Sequence, residues 1–265
     1  MDEKIAGQEN FNLPHDVVSL PSEGVFYKNK KKSVKVGFLT ASDENILATL
    51  SNNSLENIIT NLLRSKIYEP DIKIDEMISG DVEAVMIFLR NTSFGYDYTL
   101  SVIDPVTRKE FETTLDLSEL DFKKINQKPN ENGFYDVQLP KSGASVKLKI
   151  LTYGETKELT KMEESYPKGM VVPKITWRLM KQIQEVNGNQ SKETISKFID
   201  TLPISDSKFI RDFLNDIEPG LDLKRQVIAP SGEKVTVQVS FGVDFFRPFF
   251  WLHSDIIRWI YHSFI

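Results

Sequence analysis

The fold is decided by the stretch Gly80-Asp81-Val82-Glu83-Ala84-Val85-Met86-Ile87-Phe88-Leu89-Arg90-Asn91, which is followed after Gly95 by Tyr96-Asp97-Tyr98-Thr99-Leu100-Ser101-Val102. In the first part, apolar residues three and four positions apart line one side, which predicts a helix that ends near residue 91. The second part predicts a strand. A turn at Asp104-Pro105-Val106-Thr107 then sends the chain back into a partner strand over residues 110–117. The segment therefore predicts a helix followed by a β-hairpin.

The same pattern returns 125 residues later in the chain. At that offset nine identities fall within 29 aligned positions: Asp81, Phe88, Leu89, Gly95, Asp97, Val102, Ile103, Pro105 and Lys109 match Asp206, Phe213, Leu214, Gly220, Asp222, Val227, Ile228, Pro230 and Lys234. Both copies contain a helix, a glycine, a strand, a proline-containing turn and a returning strand. We therefore expect a helix-plus-hairpin unit that occurs twice, the alternative being a coincidence between two common motifs.

The rest of the chain adds short strands and amphipathic helices. Alternating apolar residues predict strands at 34–38, 134–139 and 145–151. Apolar stripes and capping residues predict helices at 43–50, 54–69, 155–165 and 173–186. Two more helices are predicted to begin after Ser191 and at Asp206. The fold class that follows is α+β, with helices packed on short antiparallel β-hairpins.

A shift in composition near residue 154 suggests how the chain is divided, because strands there give way to charged helical sequence. We expect a flexible N-terminal arm (1–19), an N-terminal α+β domain (20–153), a helical region with the second hairpin (154–242), and an aromatic C-terminal tail and helix (243–265).

Composition excludes several classes of function. The 265 residues carry a net charge of −5, with 40% hydrophobic and 27% charged residues, so the chain can bury a core but lacks the basic excess of a nucleic-acid binder. There is no cysteine, and three scattered histidines form no metal-binding pair. The polar residues 1–10 do not resemble a signal peptide, and no apolar run is long enough for stable membrane insertion. These features favour a cytoplasmic protein without a metal.

A search for catalytic motifs gives nothing. The sequence has no nucleophile elbow, no phosphate-binding loop and no dinucleotide fingerprint, and no carboxylate spacing marks an acid–base pair. We therefore expect a protein that is not an enzyme and that needs no cofactor.

The C-terminus is unusually aromatic, since residues 241–265 hold nine of the chain's 28 aromatic residues. Exposed aromatic clusters mark protein interfaces. The predicted partner interface consists of Phe245, Phe246, Phe249, Phe250, Trp251, Ile256, Trp259, Ile260 and Phe264. Two alternatives stay open: the tail packs onto its own core, or the amphipathic helix over residues 255–265 binds a membrane surface.

A family resemblance supports the interaction hypothesis. The segment Leu20-Pro21-Ser22-Glu23-Gly24-Val25-Phe26-Tyr27 resembles the Leu-Pro-Ser-x-Gly-x-x-Tyr opening of baseplate hub assembly proteins of T-even-type contractile-tailed phages. Further similar segments follow in order: residues 34–44, Gly80-Asp81 through Leu89-Arg90 to Phe94-Gly95, Asp116-Leu117-Ser118, Leu139-Pro140-x-Ser142-Gly143, and the Phe-Phe stretch near the C-terminus. The resemblance is best over residues 20–150.

The resemblance implies a non-enzymatic phage protein that binds hub subunits while the central hub of the baseplate is built. Such a protein would act in the host cytoplasm, either as a virion component or as an assembly chaperone absent from the finished particle. Members with a Cys-Pro-x-Cys-like hairpin turn differ from this chain, which has Ile103-Asp104-Pro105-Val106 and Ile228-Ala229-Pro230-Ser231 there. Neither turn can bind zinc, so we expect these hairpins to be held by packing alone. The oligomeric state is left open.

Overall fold

The chain folds into short hairpins, one small sheet and eight helices, in a computed structural model that describes residues 14–49, 55–123, 125 and 127–246. The strands are β1 (His15–Ser19), β2 (Ser33–Gly37), β3 (Asp97–Ile103), β4 (Glu110–Asp116), β5 (Tyr135–Gln138), β6 (Ser145–Leu148), β7 (Ile183–Val186), β8 (Lys224–Ile228) and β9 (Lys234–Gln238). The helices are α1 (Ala41–Ala48), α2 (Leu55–Lys66), α3 (Ser79–Phe94), α4 (Tyr153–Glu164), α5 (Lys174–Gln182), α6 (Lys192–Asp200), α7 (Ile204–Ile217) and α8 (Val243–Phe246). Every strand pair between these elements is antiparallel, which confirms the α+β class.

The first hairpin includes residues that were expected to belong to a flexible arm. Strand β1 pairs with β2, with Val17 opposite Lys35 and Val18 opposite Val34. The pairing buries Val18 and Val34 against the core, which gives the last five residues of the predicted 1–19 arm a reason to be ordered. Residues 1–13 lie outside the described part of the chain.

Three helices in the described part of the chain begin at a side-chain cap. Thr40 caps α1 in a capping box with Asp43, and Thr152 caps α4 in the same way with Glu155. The Ser191 side chain caps α6, as predicted. Each box satisfies amide donors that have no partner within the helix.

One predicted helix is shorter than expected. Helix α5 ends at Gln182, and the next four residues, expected to continue it to residue 186, form β7 instead. Ile183 and Val186 are buried β-branched residues that prefer strands, and β7 completes a three-stranded sheet with the order β5-β6-β7. Tertiary pairing therefore overrides the helical continuation.

The helix-plus-hairpin unit occurs twice, as the sequence predicts. Helix α3 is followed by the β3–β4 hairpin, and helix α7 by the β8–β9 hairpin. The two copies meet at a backbone seam, where a Cβ atom added to Gly80 would lie 2.1 Å from the Pro219 carbonyl oxygen and 2.5 Å from the Gly220 Cα. Only glycine allows this approach.

Two carboxylates, Glu83 and Glu218, lie beside the seam. The pKa of Glu83 is raised to about 7, chiefly by burial and further by the charge of Glu218, against the opposing charge of Lys123. Burial also raises the pKa of Glu218, although Arg178 and Lys123 oppose it. The seam therefore disfavours the ionised form of both groups.

The apolar residues form two cores that do not divide the chain at residue 154. The first core takes residues from Val18 to Leu117 and again from Leu221 to Phe246. The second core takes Ile78 and residues from Tyr135 to Ile217. The β8–β9 hairpin thus packs with the N-terminal elements, although it was expected to belong to the helical region.

Candidate functional site: the paired hairpin tips

The turns of the two repeated hairpins are joined by the carboxylate of Asp104, a residue with no exposed surface. Its Oδ1 accepts hydrogen bonds from the amides of Val106 (2.9 Å) and Thr107 (3.1 Å) within its own turn. Its Oδ2 accepts one from the amide of Ser231, at 3.0 Å, in the other turn. A single side chain therefore holds both tips.

These bonds stabilise the ionised form of Asp104. Burial alone would raise its pKa, but the hydrogen bonds from Thr107, Val106 and Ser231 outweigh burial and lower the pKa to about 2. The expectation that the hairpins are held by packing alone is therefore wrong, because a charged hydrogen-bond acceptor links them. Its counterpart in the second turn is Ala229, which has no polar side chain. The first turn therefore supplies the linking carboxylate, and the second turn supplies only the Ser231 amide.

The joined tips present apolar side chains to water. Ile103, Val106 and Ile228 are 63%, 64% and 71% exposed. Charged residues surround them: Arg108, Lys109, Glu110, Glu233 and Lys234 are all exposed. An exposed apolar centre with a charged rim is typical of a protein-binding surface.

The start of the β3–β4 hairpin is fixed to the first core by a buried arginine. The Arg90 guanidinium donates to the carbonyl oxygens of Gly95 and Asp97, the latter at 2.5 Å. It also lies over the rings of Tyr98 and Phe245, with the guanidinium carbon 5.6 and 5.8 Å from their centroids. The chain therefore leaves α3 in a fixed direction into β3, so the hairpin is positioned before any partner arrives.

Two further turns are held by aspartates in the first turns of the repeated helices. Asp81 accepts the Ser22 amide (2.8 Å), the Ser22 hydroxyl (2.5 Å) and the Tyr27 hydroxyl. Asp206 accepts the amides of Lys141 and Ser142, both at 2.8 Å. The repeat thus extends back to the Leu-Pro turns at residues 20 and 139.

The two aspartates differ in their electrostatics. Burial raises the pKa of Asp81 despite its bonds from Ser22 and Tyr27, whereas at Asp206 the bonds from Ser142 and Lys141 outweigh burial and lower the pKa. In both cases the carboxylate is occupied by its own chain, so its role here is structural.

Comparison with known proteins identifies the family. The family described as T4 bacteriophage base plate protein matches residues 22–247, more than four fifths of the chain. The chain belongs to this family. No curated protein and no solved structure matches it.

Over the described ranges, no helix combines the length and apolar character needed to cross a bilayer. The same ranges contain no group of three or more acidic or histidine side chains placed to hold a metal ion.

The predicted aromatic interface divides at residue 246. Phe245 and Phe246 are 0% and 1% exposed, and the Phe245 ring contacts Tyr98, Phe241 and Phe246 at centroid distances of 5.6, 4.9 and 4.8 Å. In this chain these two rings are therefore core residues, and both belong to the first apolar core. The other predicted interface residues lie outside the described part: Phe249, Phe250, Trp251, Ile256, Trp259, Ile260 and Phe264.

The hairpin tips and the aspartate-held turns of this baseplate-family chain were not among the predicted site residues. A signal for the turns existed, since Leu20-Pro21-Ser22 and Leu139-Pro140-Lys141-Ser142 are similar in sequence and the helices of both repeated units carry an early aspartate. A signal for the tips was weaker: Asp104 and the exposed Ile103 and Ile228 flank the prolines of both turns. Their joining is a long-range contact that local pattern does not contain.

Proposed function

We propose that this baseplate-family protein acts without catalysis in the assembly of the central hub of a contractile tail, by binding hub subunits through its paired hairpin tips. The observation that carries the proposal is the exposure of Ile103, Val106 and Ile228 on turns that Asp104 joins. Membership in a baseplate family supplies the setting, since the subunits of such an assembly must contact one another.

The tips suit binding because their geometry is fixed in advance. Asp104 clamps both turns, and Arg90 anchors the strand that leads into the first turn. A surface that does not have to order itself loses less entropy on association, so a modest apolar area gives useful affinity. The charged rim would set the orientation of the partner.

Two of the perturbed carboxylates are occupied by structural hydrogen bonds, which favours a binding role for the surface around them. Asp81 and Asp104 have shifted pKa values, but each accepts three hydrogen bonds from its own chain. A group that is fully engaged in this way has little capacity left to serve a substrate.

The test is co-purification with the hub subunits of the same phage, using the full chain with Ile103, Val106 and Ile228 changed to Ser. We expect the variant to fold and to lose the hub subunits. A matched control changes three apolar residues that are exposed elsewhere, Val17, Ile46 and Ile204, to Ser. The control variant should still co-purify with the hub subunits. Equal co-purification by both variants would show that the tips are not the interface.

The role of assembly chaperone is tested on finished particles. A structural component is found in purified virions at a fixed copy number, whereas a chaperone is absent from them. Mass spectrometry of tails that contain the hub therefore separates the two roles.

A further inference from the structure

A second surface lies between helices α4, α5 and α7. It is a groove of about 250 Å³, whose apolar lining residues are the buried Leu159 and the half-exposed Ile175. Its charged lining residues are Glu163 of α4, Lys174 and Arg178 of α5, and Arg211 of α7. Three cations and one carboxylate therefore line one groove, which leaves it with a positive charge in a chain whose net charge is −5.

Two of the three cations, Arg178 and Arg211, keep terminal N–H donors that have no partner in the described part of the chain. Lys174 pairs with Glu163 at 2.5 Å, but Arg178 and Arg211 form no ion pair within the described ranges. Arg211 uses only its Nε, which donates to the Ser207 carbonyl oxygen at 3.2 Å. Glu218 is the acidic group whose charge interacts with Arg178, and it is half-buried at the seam. Both guanidinium groups therefore have terminal N–H donors available to an anion.

An exposed apolar loop connects α4 to α5 and leads directly into the groove residues Lys174 and Ile175. The Tyr166 and Trp177 rings pack edge to face, with centroids 5.4 Å apart, and fix the base of the loop. Gly169 adopts a left-handed conformation (φ +87°), and the loop then presents Met170 and Val171, which are 61% and 92% exposed. Such exposure of adjacent apolar side chains indicates a contact surface.

We propose that this groove and loop bind an acidic segment of a partner protein that also carries apolar residues. Carboxylates of the segment would bond to the guanidinium groups of Arg178 and Arg211, whose planar fork matches a carboxylate. Apolar side chains of the segment would cover Met170 and Val171. Charge complementarity favours an acidic partner, and the apolar loop favours a protein over a nucleic acid, whose phosphates require a longer series of cations.

This site is separate from the hairpin tips and does not depend on them. Two contacts on one chain would raise the affinity for an assembly that engages both, since the second contact forms at high effective concentration. The two proposals can therefore fail independently.

The test measures binding of a fluorescent peptide made of Glu-Glu-Leu repeats to the full chain, by fluorescence anisotropy at low and high salt. We expect binding that weakens with salt, and no binding of a matched Lys-Lys-Leu peptide. The double variant R178Q/R211Q should lose at least about tenfold in affinity, because each charge-assisted bond contributes strongly. The control variant K192Q/K197Q removes the same charge from exposed positions on α6 and should change affinity less than about twofold.

A second variant keeps the proposal testable if the arginine variant folds poorly. M170S/V171S alters side chains that are largely exposed, so its fold is not at risk, and it should also weaken the Glu-Glu-Leu peptide. The proposal is overturned if either double variant binds as the native chain does, if the lysine peptide binds equally well, or if millimolar inorganic phosphate alone displaces the peptide completely. Normal peptide binding by the hairpin-tip variant would support separate sites.

Discussion

The seam between the two repeated units makes a specific prediction about pH. Glu83 lies on α3, with its carboxylate 3.7 Å from the position that a Cβ of Gly220 would take. Glu218 raises its pKa and Lys123 lowers it, and burial is the largest influence. The substitution Glu83→Gln keeps the shape of the side chain and removes its titration.

The magnitude follows from the difference in pKa between the folded and unfolded states. Glu83 titrates at about 7 in the folded chain, against 4.5 as its ordinary value. A shift of this size corresponds to at most about 3 kcal/mol. The pKa of Glu83 is higher in the folded state than in the unfolded state. Its contribution to the free energy of unfolding is therefore fully present below pH 4.5 and is lost as the pH rises toward 7. Above pH 7 the loss is complete.

Urea unfolding of the native chain and of Glu83→Gln between pH 5 and 9 measures this effect. We expect the variant to be more stable by up to about 3 kcal/mol at pH 8, with the difference shrinking steadily toward pH 5. Glu193→Gln, at an exposed position on α6, serves as a control and should show no such pH-dependent gain. Parallel stability curves for the native chain and Glu83→Gln would refute the reasoning.

Three further substitutions test the packing and the tip clamp. Gly80→Ala forces a methyl group into the backbone seam and should cost about 3 kcal/mol or more in denaturant unfolding, whereas Gly242→Ala, where the added Cβ meets nothing within 4 Å, should cost far less. Phe245→Ala should destabilise the chain by about 3–5 kcal/mol, since the ring is fully buried; a loss below about 1 kcal/mol would place the ring outside the core. Asp104→Ala should speed amide hydrogen exchange in both hairpin turns, because the turns lose the carboxylate that joins them. The native chain should show the same faster exchange as the pH falls toward 2, since the lowered pKa of Asp104 keeps it ionised down to that pH. Unchanged exchange in the Asp104→Ala variant would argue against a clamp.

Local pattern in the sequence explains most of the elements but little of their assembly. The α3 helix and the β3–β4 hairpin follow from apolar spacing and from turn residues that act over a few positions. The capping boxes at Thr40 and Thr152 are local in the same sense. Such features are predictable because the groups involved are neighbours in the chain.

The parts that were missed depend on contacts between distant residues. Residues 183–186 continue a helical apolar pattern, and only pairing with β6 makes them a strand. Asp104 reads as an ordinary turn residue until Ser231 is brought beside it. The sequence therefore predicted an interface in the aromatic tail, where Phe245 and Phe246 are core residues, and gave no prediction for the hairpin tips.

The split of the first core has a consequence for how the protein is made. Residues 18–117 emerge from the ribosome early, but Val237, Val239, Phe245 and Phe246, which complete their core, are added more than a hundred residues later. Until then the nascent chain carries an unfinished apolar surface, which is the condition under which growing polypeptides aggregate or recruit helpers. The order of synthesis thus makes the last hairpin a closing step, and a chain stopped at midpoint would have no finished N-terminal half.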